Sequence, residues 1–470
     1  MFRELGPDAR GLLGVVAFFP RGVDENNIGW LFPTISSGPN VFDKLCILSL
    51  TYRSDGFITM LAPLRDYLCP KDPTSSPLLI VTKERYFSRL SVEVYPDKPG
   101  FEESRWITSE DVNVEHLLDV FASAGENSED VWVACVNFMG HLYWHKPRRI
   151  MFGPRIEALP DDHPSKARYL SELSWSFELV GNGVERKRLL TRALELSREQ
   201  GDNEQVALTL RTLSDTNQLM GLLEEGIQQA REASETFEHL GNTEEQAECS
   251  IVLARALYED NRLDAAEEAA SRAIDSLPEK QFRVCQGHCV LGDIYKSKGD
   301  KEKAIHHFEV ALGIASSLNS DHSLFWVHYA LARLFFGESR FDDAHAQIER
   351  AKSHAINNSY TLGRAMELQA DFWYDQGMLE KAEFEVSHAA DVYEKLGATQ
   401  DLERCRELLE WIKEGASEFL EIMLLPARIN FPFQGQETNE SIDGCFCFLG
   451  RILVRVTRNL VSSHRPSSSP

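Results

Sequence analysis

The chain is 470 residues long, more than one hydrophobic core normally serves, so length alone points to several domains or a repeat array. Its composition, 43% apolar and 26% charged with 29 Gly and 19 Pro, is that of a globular protein and excludes a collagenous or wholly disordered chain. The formal charge of −24, from 73 acids against 49 bases, works against sequence-independent binding to nucleic acid or to an anionic membrane and favours proteins as partners.

The first residues mix Arg3, Glu4, Asp8 and Arg10 and lack the basic, apolar, small-residue order of a signal peptide. The longest apolar stretch, 11–19, falls short of the roughly 20 residues that span a bilayer. The expectation is a cytoplasmic protein whose nine scattered Cys are reduced thiols. Pro7 and Asp8 open a helix predicted to end near Phe19 and Pro20; a second is predicted over 24–31 and a third near 41–44. The β-rich run 46–52, the turn Ser54-Asp55-Gly56 and the run 57–61 read as a hairpin. Helices followed by a hairpin predict a small winged-helix-like α+β domain over 1–69. Its 6 bases against 7 acids argue against DNA binding through the wing. Residues 70–108, with Pro70, Pro73, Pro77, Pro96 and Pro99, read as a linker around a short helix at 78–90. Helices over 109–121 and 129–144 form a connecting region, 109–163.

From 164 to 414 the sequence repeats. Ser174, Ser214, Ala254, Gly292, Ala332 and Ala370 recur at intervals of 40, 40, 38, 40 and 38 residues. One residue earlier stands Leu in five of six units, with Gln369 the exception. Seven residues later come Gly181, Gly221, Asn261, Gly299, Ser339 and Gly377, residue types that end a helix in left-handed backbone. Twelve later are Arg186, Gly226, Ala266, Ala304, Ala344 and Ala382. Nineteen later the column is alanine throughout: Ala193, Ala233, Ala273, Ala311, Ala351 and Ala389. A small residue at one phase of two linked helices lets them approach closely, so each unit reads as a helical hairpin. Gly201-Asp202-Asn203 and Gly241-Asn242-Thr243 carry stop and cap residues between units. The amphipathic run 401–413 reads as a terminal capping helix.

This pattern resembles the tetratricopeptide repeat. In the fourth unit Leu291, Gly292, Tyr295, Gly299, Ala304, Phe308 and Ala311 fill that family's signature places. The resemblance implies a mainly α, right-handed tetratricopeptide (TPR)-like solenoid of about six hairpins plus a cap, with the first helix of each hairpin on the inner surface. One and four residues past the marker should then face the groove. The first of these columns alternates in charge from the second unit on: Asp215, Arg255, Asp293, Arg333, Asp371. The second collects aromatics toward its C-terminal half. The expected partner-binding groove is therefore Arg255, Tyr258, Asp293, Trp326, Tyr329, Arg333, Phe336, Asp371 and Tyr374, because aromatics and Arg dominate interface energetics. The competing reading is that the charges satisfy one another and the aromatics pack between units. The Lys and Asn clamp with which one subset of the family grips C-terminal carboxylates is not reproduced here.

The hairpin, the segment 62–68 and the run Tyr143-Trp144-His145-Lys146-Pro147 ahead of the repeats are together similar to the distal half of fungal NB-ARC or NACHT signalling ATPases with tetratricopeptide sensors. In many relatives a Met-His-Asp triplet follows the hairpin; here Leu61 and Ala62 follow Met60, so its nucleotide contact does not carry over. No G-x-x-x-x-G-K-S/T phosphate loop occurs in the sequence, nor do G-x-S-x-G or H-E-x-x-H, so neither catalysis nor a cofactor is expected. Cys285, His288 and Cys289 lack a second ligand pair nearby, and no metal site is expected there; His306 and His307 read as a solvent edge. The tail 415–470, with Cys445, Cys447 and then Arg451, Arg455 and Arg458 among apolar residues, is expected to be largely disordered. The expected function is a protein-interaction module, the recognition or autoinhibitory region of a nucleotide-switched ATPase whose core is absent here. Two alternatives stand beside it: a free-standing scaffold, and a chain that completes an NTPase module in trans.

Overall fold

The computed structural model describes residues 5–33, 38–91, 106–123, 129–145, 150, 152–178, 182–278, 281–355 and 360–428. Of the tail expected over 415–470 to be largely disordered, residues 415–428 are instead helical, continuing the closing helix; the expectation for 429–470, including Cys445, Cys447 and the basic run 451–461, lies outside the described residues.

The chain opens with α1 (Pro7–Phe18), β1 (Val23–Asp24), α2 (Ile28–Leu31), α3 (Gly38–Ile47), β2 (Tyr52–Ser54), β3 (Phe57–Thr59) and α4 (Ala62–Leu68). Helix, strand, two helices and a hairpin make a small α+β unit. Its antiparallel sheet runs β1-β3-β2, with Val23 opposite Ile58 and Tyr52 opposite Thr59. Asp55 and Gly56 both take positive φ, 51° and 80°, as a two-residue hairpin turn requires. Two expectations need correction in detail. Residues 46–51 of the expected strand are not one, and only Tyr52 pairs: Cys46 and Ile47 end α3, whose buried stripe is Phe42 and Leu45, and Ser49 turns the chain at φ 58°. The helix expected over 24–31 is split. Asp24 pairs in the sheet, and its carboxylate accepts from the Asn26 N–H at 2.8 Å, so a 3-10 turn precedes the short α2.

Then come α5 (Pro77–Leu90), α6 (Ile107–Ser123), α7 (Glu129–His145) and α8 (Gly153–Glu157). One continuous apolar core from Leu12 to Leu196 joins the N-terminal unit to these helices and to the start of the array. Polar contacts reinforce the junction: the Asn113 side chain donates to the Gly22 carbonyl and the Arg21 guanidinium to the Ser109 carbonyl, both at 2.9 Å.

The array consists of six hairpins: α9 (Lys166–Glu178) with α10 (Gly183–Gln200), α11 (Asn203–Leu219) with α12 (Leu223–Leu240), α13 (Thr243–Glu259) with α14 (Leu263–Asp275), α15 (Phe282–Lys298) with α16 (Lys301–Ser317), α17 (Asp321–Gly337) with α18 (Phe341–His354), and α19 (Tyr360–Asp375) with α20 (Leu379–Leu396). A closing helix, α21 (Thr399–Arg428), packs on α20. Every helix touches the next, and each first helix also touches the first helix of the following unit. This is a TPR-like α-solenoid.

Local chemistry explains the breaks. Gly221, Asn261, Gly299, Ser339 and Gly377 have φ between 60° and 79°, so the column seven residues past the marker reverses the chain in each described hairpin. Asn182, Asp202, Asn242, Asp300 and Ser320 cap the helices after them by accepting from a backbone N–H three residues on. The alanine column from Ala193 to Ala389 is buried in all six units, at most 2% exposed. The helices meet where the side chains are small.

Candidate functional site

The row α9, α11, α13, α15 forms the inner face of the first four hairpins, and α7 extends it at one end. Between them opens a cleft of about 480 Å³. Helix α7 contributes Asn137, Gly140 and Tyr143; α9 contributes Arg168, Glu172, Trp175 and Glu178; α11 contributes Arg211, Asp215 and Gln218. Helix α13 contributes Glu244, Glu245, Glu248, Arg255 and Glu259, and α15 contributes Arg283 and Gln286.

The charges are partly matched. At one wall Arg283 is clasped by three carboxylates, Glu244, Glu245 and Glu248, at 2.7, 2.6 and 2.8 Å, and Arg211 also pairs with Glu245. At the floor Arg255 donates to Asp215 at 3.1 Å, and Arg186 from α10 reaches Glu178 at 2.9 Å. Burial opposes a charge on Arg255, but Asp215 and then Glu259, Glu248 and Glu178 hold its guanidinium above the ordinary range. Burial lifts the Glu178 and Glu259 carboxyls above theirs; Arg186 and Arg255 respectively oppose this, and Asp215 adds to it at both. One Glu259 oxygen is buried without a hydrogen-bond partner. Gln218, 2% exposed, donates from its amide nitrogen to Ser214 Oγ at 3.1 Å and to the Val252 carbonyl at 3.4 Å. The carbonyl can only accept, which fixes the amide with Oε1 turned away and unpartnered. Gln286 Oε1 is also a buried acceptor without a donor.

The expected groove residues are distributed along the array. Of the charge ladder, the rung Asp215 to Arg255 forms. Asp293 pairs instead with Lys296 on its own helix at 3.1 Å, because the i,i+3 partner is nearer than the next unit. Arg333 stands exposed and makes no ion pair among the described residues. Half-buried Tyr258 accepts from Ser297 Oγ at 3.2 Å, and burial followed by Asp293 pushes its hydroxyl up in pKa. Arg333 acts on the same hydroxyl in the opposite sense, so Tyr258, Asp293 and Arg333 share one neighbourhood. In α17 Trp326 and Tyr329 pack edge to face at 5.6 Å, and Tyr329 is buried. Phe336 stacks flat on Phe372 of the next unit at 3.9 Å. Asp371 and Tyr374 are half-buried on α19. Arg255 alone of the nine lines the cleft.

Sequence reasoning missed the wall built by α7 and by the first turns of α13 and α15. A signal existed: Arg283 holds the same phase as Glu245 one unit earlier, nine residues before the marker, and Glu244, Glu245 and Glu248 share a helix face. Among the described residues no group of three or more His, Cys, Asp or Glu is placed to hold a metal ion. Cys285 Sγ donates to the Ala311 carbonyl at 3.4 Å, and His288 and His307 bring their Nδ1 atoms to 3.0 Å. No described helix is long and apolar enough to cross a membrane.

No family model matches the sequence, and no curated protein matches it. Solved structures similar to it include a STAND signal-transduction ATPase with a tetratricopeptide repeat sensor from Pyrococcus horikoshii, 16% identical over 91% of this chain and 65% of that one, with a TM-score of 0.45. A Rap protein complexed with competence and sporulation factor is 12% identical over 84% of this chain and 98% of that one, TM-score 0.45. A tetratricopeptide repeat protein from Parabacteroides merdae is 15% identical over 70% and 99% of the two chains, TM-score 0.40.

Proposed function

We propose that the chain is a protein-interaction module that receives a polypeptide segment in the cleft between α7 and the inner helices of the first four hairpins. The observation that carries this is the cleft itself. It has several hundred Å³ of open volume and a floor and wall of polar groups carried on helices and tied by partly buried ion pairs, Arg186 to Glu178 and Arg283 to Glu248. The groove continues past Tyr258 and Asp293 to Arg333, Phe336, Asp371 and Tyr374, where a longer partner would lie.

The finer reading is that this module is the recognition or autoinhibitory region of a nucleotide-switched signalling ATPase. It is supported by the order of the chain, with residues 1–69 as a winged-helix-like domain, 70–108 and 109–163 as connections, 164–414 as the array and 415–470 as a tail. Exposed Ile47, Leu61 and Tyr67 at the N-terminal unit offer apolar surface for an NTPase module from another chain. A free-standing scaffold is the alternative, distinguished by finding no such module bound.

The test is selection of random peptides by the full chain from a displayed library, followed by rebinding to Gly140→Trp. Gly140 lines the cleft and a Cβ there meets nothing within 4 Å, so an indole at this position is expected to occupy the cleft. Selected peptides should lose binding to the variant; peptides that bind it as well as the wild type overturn the cleft as the site. Arg333→Ala tests the groove's continuation without touching the Phe336 to Phe372 stack, and is expected to weaken only the longer peptides.

A further inference from the structure

The geometry points to a cationic segment, one carrying an arginine or lysine side chain, as the occupant of the cleft floor formed by Glu178, Asp215, Gln218, Arg255 and Glu259. This deepens the reading above and rests on it. Three carboxylates converge on the single guanidinium of Arg255, which bonds only Asp215 among them within ion-pair distance. Glu178 borrows Arg186 from behind, leaving the floor with more negative than positive charge. On the five floor residues the buried atoms without a hydrogen bond are acceptors, whereas behind the floor Arg186 and at the wall Arg283 keep nitrogens without one. Gln218 lines the cleft almost wholly buried, its amide nitrogen held by the Val252 carbonyl and its Oε1 without a donor; one Glu259 oxygen and Gln286 Oε1 likewise lack a donor. Buried acceptors without donors are uncommon in folded proteins because each forfeits its bond to water. A guanidinium or ammonium supplies several donors and the missing charge at once, whereas an acidic or purely apolar segment supplies neither. Burial raises the Glu178 and Glu259 carboxyls, and the neighbouring Asp215 adds to the shift at both.

The experiment uses the full chain and fluorescein-labelled, N-acetylated nonapeptides of Gly and Ala with one central residue: arginine, lysine, citrulline or glutamate. Anisotropy should show the arginine and lysine peptides binding about tenfold to a hundredfold more tightly than citrulline, the neutral isostere. Glu259→Gln together with Glu178→Gln should remove most of that preference. Arg186 keeps an amide acceptor in this variant, and the circular dichroism spectrum reports whether the fold is retained. A Glu259→Gln single variant, which removes a carboxylate with no ion-pair partner among the described residues, serves if the double variant does not fold. Equal binding of arginine and citrulline peptides, a glutamate preference, or no binding of any peptide overturns the inference. Spermidine that displaces the arginine peptide with the same variant sensitivity, at concentrations where the peptide itself binds, also overturns it in favour of a small amine. Peptides from the display selection that are lost in Gly140→Trp but lack any basic preference overturn this inference alone, and leave the cleft as a polypeptide site.

Discussion

At the scale of single residues, the array shows how one column accommodates different partners. Gly292 stands at the marker where other units have Ser or Ala, because a Cβ there would lie 2.6 Å from the Phe308 ring of the paired helix. Sixteen residues past the other markers the partners are Leu190, Ala230, Ala270, Ile348 and Val386, none of them aromatic, so glycine and phenylalanine occur together. Gly292→Ala should cost about 1 to 3 kcal/mol in urea denaturation, the ordinary penalty of overpacking, despite alanine's better helix propensity. A neutral result would mean that the ring moves aside. Arg186 is the opposite case. It takes a position that is alanine in four units, lies 1% exposed with its guanidinium 4.8 Å from the Trp175 ring, and answers Glu178. Arg186→Met should lose about 2 to 3 kcal/mol, somewhat below a fully buried pair because Glu178 is partly exposed, and adding Glu178→Leu should restore most of it. The same thermal or urea unfolding experiment reads both; no recovery in the double variant would show that the arginine's packing, and not its charge, matters.

Pairs of helices carry the pH response. In the fourth hairpin His288 and His307 face each other across α15 and α16 with Nδ1 atoms 3.0 Å apart, so one ring donates while the other accepts, and Tyr295 stacks on His307. Burial, then His307 and His306, press His288 down from 6.5 to about 4, and burial also lowers His307. Between those values the unfolded chain binds protons that the folded chain refuses, so this pair removes stability as pH falls from about 6.5 toward 4. The raised carboxyls Glu178 and Glu259 act in the opposite sense, which makes a variant comparison necessary. The urea midpoint of His288→Asn should fall less than that of the wild type between about pH 7 and about pH 5. Parallel falls would sink the assignment. The helices, their breaks and their caps were legible in the sequence because each is decided within a few residues: left-handed backbone at Gly299, a carboxylate cap at Asp300. The strand expected over 46–52 was not, because the apolar run Cys46 to Leu50 suits a strand locally and only the packing of Phe42 and Leu45 extends α3 through its beginning.

Across the whole molecule, the solenoid is a chain of nearest neighbours closed at each end. At the start, the core from Leu12 to Leu196 merges the N-terminal unit with the first hairpin. At the other end α21 covers Val386, Ala389 and Tyr393 with Ala398 just before it and Cys405, Leu408 and Ile412 on it. Truncation after Ala398 should therefore release the sixth hairpin first, as expected when stability is a sum of units and their interfaces. Hydrogen exchange should accelerate by about tenfold or more in residues 360–396 while the third and fourth hairpins keep their protection. Uniform acceleration along the array would instead mean that it unfolds as one cooperative body.

What the amino-acid order determined alone was the repeat, its register, the hairpin breaks and the alanine seam, since all follow from side-chain size and backbone preference within a window of one or two units. What the tertiary structure decided was where the concave face becomes a cleft and which charges go unanswered. Asp293 takes Lys296 beside it, Arg283 gathers three glutamates from the previous unit, and Glu259 and Gln218 each keep a buried oxygen without a donor. Spacing along a helix cannot foretell this, because the outcome depends on distances between units and on α7, a helix outside the repeat, folding back to close one end.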